Sequence, residues 1–201
     1  MQNNSFMLIN RLFSFLCLLL ALSACTPTFD WRTVRSDDLM YEALYPGKPS
    51  RAEKTMLFQQ QKLTMTMEAV KVKDGLYAVG VIQVPKELRS SASMSQLLEF
   101  IQAGTLSNLK TSQPTPHNPI TINTSGQASE KLPAKEWIVD GLGPDGQRRL
   151  MRTRLVQRVF PDGQVLIYQQ TILQTLTSNQ DLEKTLSSDE HSMFLSGFKP
   201  Y

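Results

Sequence analysis

Residues 143–173 read GPDGQRRLMRTRLVQRVFPDGQVLIYQQTIL, and this stretch decides the fold. Gly143-Pro144-Asp145-Gly146 and Pro161-Asp162-Gly163 are turns with a mechanism: Pro presets φ, Asp bonds to the local backbone, and Gly accepts φ > 0. The runs beside them, Arg148 to Phe160 and Gln164 to Leu173, are rich in β-branched and aromatic residues. Glu136 to Leu142 precedes them as another such run. Repeated turns between β-rich runs predict consecutive hairpins, a C-terminal meander.

The N-terminal half carries the same kind of punctuation. Leu39 to Leu44 reads as a first strand, ended by Tyr45-Pro46-Gly47-Lys48-Pro49. Lys54 to Phe58 and Lys62 to Val72 follow. In the second of these, Leu63, Met65, Met67 and Ala69 alternate with Thr64, Thr66 and Glu68, the pattern of a half-buried strand with the polar set in solvent. Lys73-Asp74-Gly75 turns into Leu76 to Val84, which Pro85 stops. Met94 to Leu109 is the strongest helix: Met94, Leu97, Leu98, Ile101 and Thr105 share a face, and Ser93 with Gln96 fits a capping box. Lys110 suits the negative end of its dipole. Thr111 to Pro119 contains three prolines and is a loop carrying His117. Ile120 to Ala128 is a further strand. Ser178 can cap a last helix that runs through Leu186 towards Phe194, with Gly197 near its end. The expected fold is α+β: a mostly antiparallel sheet of hairpins and a C-terminal meander, with two helices packed on it.

The N-terminus says where such a domain works. Arg11 is the only charged residue before an apolar run from Leu12 to Leu22, which leads into Leu22-Ser23-Ala24-Cys25. A membrane-spanning helix needs about 20 apolar residues, so this shorter run reads as a secretory signal. The tetrapeptide resembles the lipobox of bacterial lipoproteins, in which the Cys is acylated and becomes the first residue of the mature chain. That resemblance implies a signal peptide over residues 1–24, a lipidated lead over 25–36, and one domain over 37–201. Each buried CH₂ contributes about 0.8 kcal/mol, so one acyl chain holds marginally while two or more, palmitate among them, hold firmly. Thr26, not Asp, follows Cys25, and in Gram-negative lipoproteins that resemblance implies passage to the outer membrane over retention in the inner one. The expected location is therefore the bacterial cell envelope, at the outer membrane and facing the periplasm. The lead of ten or so residues reaches at most about 35 Å, so the domain sits close to its bilayer. Trp31 within it is expected to pack on the domain.

Composition narrows the function further. The chain has 21 basic and 18 acidic residues, a formal charge of +3. Losing Arg11 with the signal leaves +2, too weak to point to nucleic acid. Of the two cysteines, Cys17 lies in the signal, so the mature chain keeps only Cys25. An internal disulfide, a cysteine metal site and a thiol nucleophile are thereby excluded.

The candidate chemistry is sparse. Arg148, Arg152, Arg154 and Arg158 share strand parity with Leu150, Val156 and Phe160, so a period of two places them on one face. A row of guanidiniums could grip envelope phosphates or carboxylates bidentately; the competing reading is a cross-strand-paired face whose Arg stems cover apolar surface. Met65 and Met67 are soft donors at strand spacing, but such pairs are far more often core than copper ligands. His117 and His191 lack the converging partners of a zinc site, and the neighbours Asp189 and Glu190 do not face His191 along a helix. No Gly-x-Ser-x-Gly elbow, Ser-x-x-Lys pair or glycine-rich phosphate loop is present. The expectation is a non-enzyme with no cofactor and no metal; an envelope hydrolase is the lower-ranked alternative.

Tyr41-Glu42-Ala43-Leu44-Tyr45-Pro46-Gly47-Lys48-Pro49, the Tyr77-Ala78-Val79 strand core, the helix after it and the terminal Phe194-Leu195-Ser196-Gly197-Phe198 together resemble the PsbP-like α/β/α sandwich group, small bacterial lipoproteins of unassigned function among them. Gly197 interrupts the Phe-x-Ser-Phe ending typical of that group. The resemblance implies a binding or assembly module without catalysis, anchored through Cys25 and meeting an envelope protein or glycan. It assigns no functional residue, because fold alone does not settle function.

Overall fold

The computed structural model describes residues 28–111, 116–126, 129–177 and 179–201. The signal segment, Cys25 and the proposed cap Ser178 lie outside them. The described elements are β1 (Arg32–Ser36), β2 (Tyr41–Tyr45), β3 (Ser50–Phe58), β4 (Gln61–Val72), β5 (Gly75–Gln83), a 3-10 turn (Lys86–Leu88) and α1 (Ser91–Leu106). Then come β6 (Asn118–Asn123), β7 (Lys131–Leu142), β8 (Arg148–Val159), β9 (Val165–Thr175), α2 (Leu182–Leu186), α3 (Asp189–Ser196) and β10 (Lys199–Pro200). A seven-stranded sheet runs in the order β3-β4-β5-β9-β8-β7-β6, and a three-stranded one in the order β1-β2-β10. Every pairing is antiparallel. The fold is α+β, and no helix among the described residues is long and apolar enough to cross a membrane.

The two Pro-Asp-Gly turns are built alike. Gly146 and Gly163 stand at φ +76° and +79°, the left-handed region that favours glycine. Their amides donate to Gly143 and Phe160 carbonyls at 2.9 Å. Asp145 and Asp162 accept from the Gln147 and Gln164 amides. The β7-β8-β9 meander hangs on these turns, and β9 then pairs with β5 along its whole length. That long-range pairing joins the N-terminal hairpins to the C-terminal meander in one sheet.

Each face of the large sheet has its own core. On one face α1 lays Met94, Leu97 and Ile101 over Met65, Ile82, Trp137, Leu155 and Ile167. Met65 and Met67 pack here over Gly80, where a Cβ would come within 2.9 Å of the Met65 sulfur. They serve as core residues. On the other face Tyr41, Ala43 and Tyr45 of β2, all fully buried, meet Tyr77, Val79, Tyr168 and Ile172, with Phe194 and Phe198 closing the layer. The second cover is therefore mixed: two short helices and a small sheet.

Several boundaries differ from the sequence reading, each for a local reason. The lead over 25–36 is part of the fold at its end, because Arg32–Ser36 pairs residue by residue with β2. Helix α1 begins three residues before Met94: its N-cap is Ser90, whose Oγ accepts from the Ser93 amide, so Ser93 lies within the first turn. Lys110 lies beyond the helix and exchanges both backbone bonds with Leu142. The strand expected to reach Ala128 stops at Asn123, where Thr124 takes over the backbone bonding through the Glu130 amide. Its partner β7 starts five residues before Glu136. β3 begins at Ser50 rather than Lys54. The last helix is two, because Asp181 caps α2 and Ser188 caps α3. Gly197 ends α3 against β2, where a Cβ would meet that of Leu44 at 2.4 Å.

Candidate functional site

The arginine row is the first expectation the structure resolves. Parity holds; α2 and α3 flank the face, Arg152 and Arg154 line an open pocket between α3 and β6, and carboxylates on β7 stand opposite. Arg148 binds Asp140 through Nε at 3.0 Å and Nη2 at 2.6 Å. Arg152 grips Glu136 bidentately at 3.0 and 3.1 Å, and Arg154 reaches the same carboxylate at 2.6 Å. Their remaining donors turn to helix ends: Arg152 Nη1 to the Leu186 carbonyl at 3.4 Å, Arg154 Nη1 to the Leu195 carbonyl at 3.1 Å. Arg158 lies over the Phe160 ring at 4.9 Å, with Nε and Nη1 buried and unpartnered. The geometry is that of the competing reading, a cross-strand-paired face. Three of the four guanidiniums are held by internal carboxylates, and Arg152 and Arg154 anchor the C-terminal carbonyls of the two short helices, where cations are favoured.

Glu136 is the hub of this cluster, with a side chain only 6% exposed. Burial pushes its carboxyl up, but the bonds from Arg152 and Arg154 outweigh that and hold it below the usual carboxylate range.

Glu68, read from the sequence as a solvent-facing residue of β4, is buried under the small sheet. It accepts from Ser36 Oγ at 3.1 Å and from the Tyr41 hydroxyl. The Tyr45 hydroxyl lies 3.0 Å from that of Tyr41 and donates to the Glu68 carbonyl at 3.2 Å. Burial raises both tyrosine hydroxyls above their ordinary range, so they stay protonated. One signal pointed here: Tyr41 and Tyr45 share a strand face, and two buried hydroxyls need polar partners.

The histidines are kept apart. His117 is exposed and rests beside the Trp137 ring at 5.9 Å, on the α1 side of the sheet. His191 is 2% exposed on the opposite side, edge-on to Tyr77 at 6.4 Å. Among the described residues no carboxylate bonds its imidazole, and Nδ1 is buried without a partner. Burial, reinforced by the charge of Arg152 and opposed by Glu190, lowers its pKa to about 4. His191 is therefore neutral near pH 7. Burial, with Glu190 nearby, pushes Tyr77 up to about 12. No group of three or more His, Cys, Asp or Glu among the described residues is arranged to hold a metal.

His191 and Tyr77 belong to an open groove of about 530 Å³. Its floor is the ends of three neighbouring strands of the large sheet, at Val72, Tyr77 and Gln174. Its wall is α2 and the start of α3, contributing Lys184, Thr185, Ser188 and Glu190; Phe29 and Lys73 form the rim. The volume lies within the range of small-ligand sites, and the lining is rich in amides and hydroxyls, with two lysines against Asp181 and Glu190. Such a surface offers donors and acceptors in balance, suited to a polar, uncharged or zwitterionic group. Among the described residues no carboxylate holds the His191 tautomer. The groove is not legible in the sequence: Lys73 and Tyr77 stand far along the chain from Gln174 and Lys184, and only the β5–β9 pairing and the α2–α3 break bring them together. No known protein family and no curated protein sequence matches the chain.

Proposed function

We propose that this protein is a lipid-anchored, non-catalytic envelope module that holds a binding groove beside a membrane. The groove between Tyr77, Gln174 and the α2–α3 wall is the observation that carries the binding part of this reading. It is large enough for a ligand or a partner side-chain cluster, and its polar groups converge without a nucleophile–base pair. The anchor rests on Leu22-Ser23-Ala24-Cys25 and the apolar run before it. An envelope protein or glycan is the partner class that fits an amide- and hydroxyl-rich lining. The location at the outer membrane and the kinship with PsbP-like lipoproteins belong to the same proposal.

A photoreactive residue placed at Gln180 tests this in living cells, with Glu53 on the far edge strand as the control position. The proposal expects a discrete crosslinked species from Gln180 alone, reduced when Cys25→Ala removes the tether. Equal crosslinking from both positions, or none from the groove in the anchored protein, would count against a binding role there.

A further inference from the structure

The groove lies at the end of the domain where the described chain begins. Phe29 forms part of its rim and is stacked on Trp31 at 6.0 Å. The Lys73 ammonium sits 5.0 Å from the Phe29 ring centroid. The Asp30 amide donates to the Pro46 carbonyl at 3.2 Å, which ties the entering chain to the Pro46–Lys48 turn. Gly47 of that turn packs on Val70 and Val72 of β4. The position of Phe29 is therefore set by three separate segments.

Cys25 is four residues before Phe29, and four Cα–Cα steps span at most about 15 Å. On the reading that Cys25 is acylated, the groove rim lies no farther than that from the bilayer surface. This end carries exposed Lys48, Lys73 and Lys184 with exposed Asp74 and Asp181, and Glu190 within the groove. Cations and carboxylates alternate here, matching the phosphate and ammonium of a zwitterionic headgroup better than a uniformly anionic surface. Phe29 and Trp31 are half-buried aromatics; Trp31 packs on the core as its sequence position predicts, and the part left exposed beside Phe29 is the kind of surface that settles at a membrane–water boundary.

We infer that the Phe29–Trp31–Lys73 end is the face that rests on the bilayer, with the groove opening among zwitterionic phospholipid headgroups. The inference rests on the anchor proposed above and adds an orientation and a ligand class to it.

The chain has two tryptophans, and Trp137 is buried under α1, which gives the test its contrast. The full lipoprotein is reconstituted into phosphatidylcholine vesicles carrying headgroup-spin-labelled lipid, beside a Trp31→Phe variant that keeps the ring stack. The expected result is loss of emission in the native protein and little loss in Trp31→Phe, so that the difference assigns quenching to Trp31. Amide exchange of the unmodified protein on the same vesicles should show added protection at residues 29–31 and 71–75. The mass of the N-terminal peptide is read from the same sample. An acylated Cys25 with Trp31 unquenched and no added protection overturns the orientation alone. An unacylated Cys25 with no vesicle binding overturns the anchor itself.

Discussion

Replacing Glu136 by Gln tests the idea that the basic strand is an internal clamp. The native carboxylate takes three bonds from two guanidiniums, and the side chains of Arg152 and Arg154 are 19% and 16% exposed. Glutamine keeps the shape but removes the charge, and it presents an amide donor to at least one guanidinium. Breaking a buried ion pair by removing one partner costs about 3–5 kcal/mol. The residual exposure of both arginines places this case near the lower end, at about 3 kcal/mol. With a urea slope of about 2 kcal/mol/M, the unfolding midpoint falls by about 1.5 M. The Leu186 and Leu195 ends of α2 and α3 should exchange their amides faster, because the arginines that hold them lose their anchor. The acid limb gives an independent check. A carboxyl whose pKa is lowered on folding contributes stability above its unfolded pKa, and that stability is lost as pH falls through the folded value. The native protein should therefore lose stability more steeply than Glu136→Gln below about pH 4.3. A midpoint shift under about 0.25 M, equivalent to about 0.5 kcal/mol, would refute the clamp.

Two further predictions concern stability. His191 should titrate near pH 4 by imidazole proton NMR, against about 6.5 for a free side chain; because the unfolded chain takes the proton first, stability should fall by on the order of 3 kcal/mol between about pH 6.5 and 4, and a midpoint at or above 6.5 would contradict the buried, neutral imidazole. Gln59 and Gln60 turn β3 into β4 at φ +47° and +64°, a conformation that costs a side chain about 1–2 kcal/mol per residue; replacing the pair by Asn-Gly should raise stability by about 1 kcal/mol even though the Gln59–Gln96 bond is lost, and a lower melting temperature would show that the turn is not strained.

Local chemistry was legible in the chain. The two Pro-Asp-Gly turns, the apolar face of α1 from Met94 to Thr105 and the methionine face of β4 all follow from spacing and turn preference. What was hidden depends on contacts between distant segments. Glu68 looks solvated in an alternating strand, and only the arrival of Ser36, Tyr41 and Tyr45 makes it a buried acceptor. Cross-strand pairing of the β8 arginines was one of two readings open in the sequence, and only the β7 register names Asp140 and Glu136 as the partners. The break between α2 and α3 escaped notice because the local polarity of Ser187-Ser188-Asp189 also suits an exposed helix turn, and the Ser188 cap is decided by where Phe194 and Leu195 must pack. The groove is hidden for the same reason, since its lining comes from the start of the described chain, β4, β5, β9 and the α2–α3 corner.

Acylation of Cys25 is what would hold the groove beside a membrane. The N-terminal peptide of the protein, purified from the membranes of its own cells, should have a mass that begins at Cys25 and carries two or three acyl chains. A peptide that begins elsewhere, or an unmodified Cys25 in protein released without detergent, would contradict the claim that the groove is held beside a membrane.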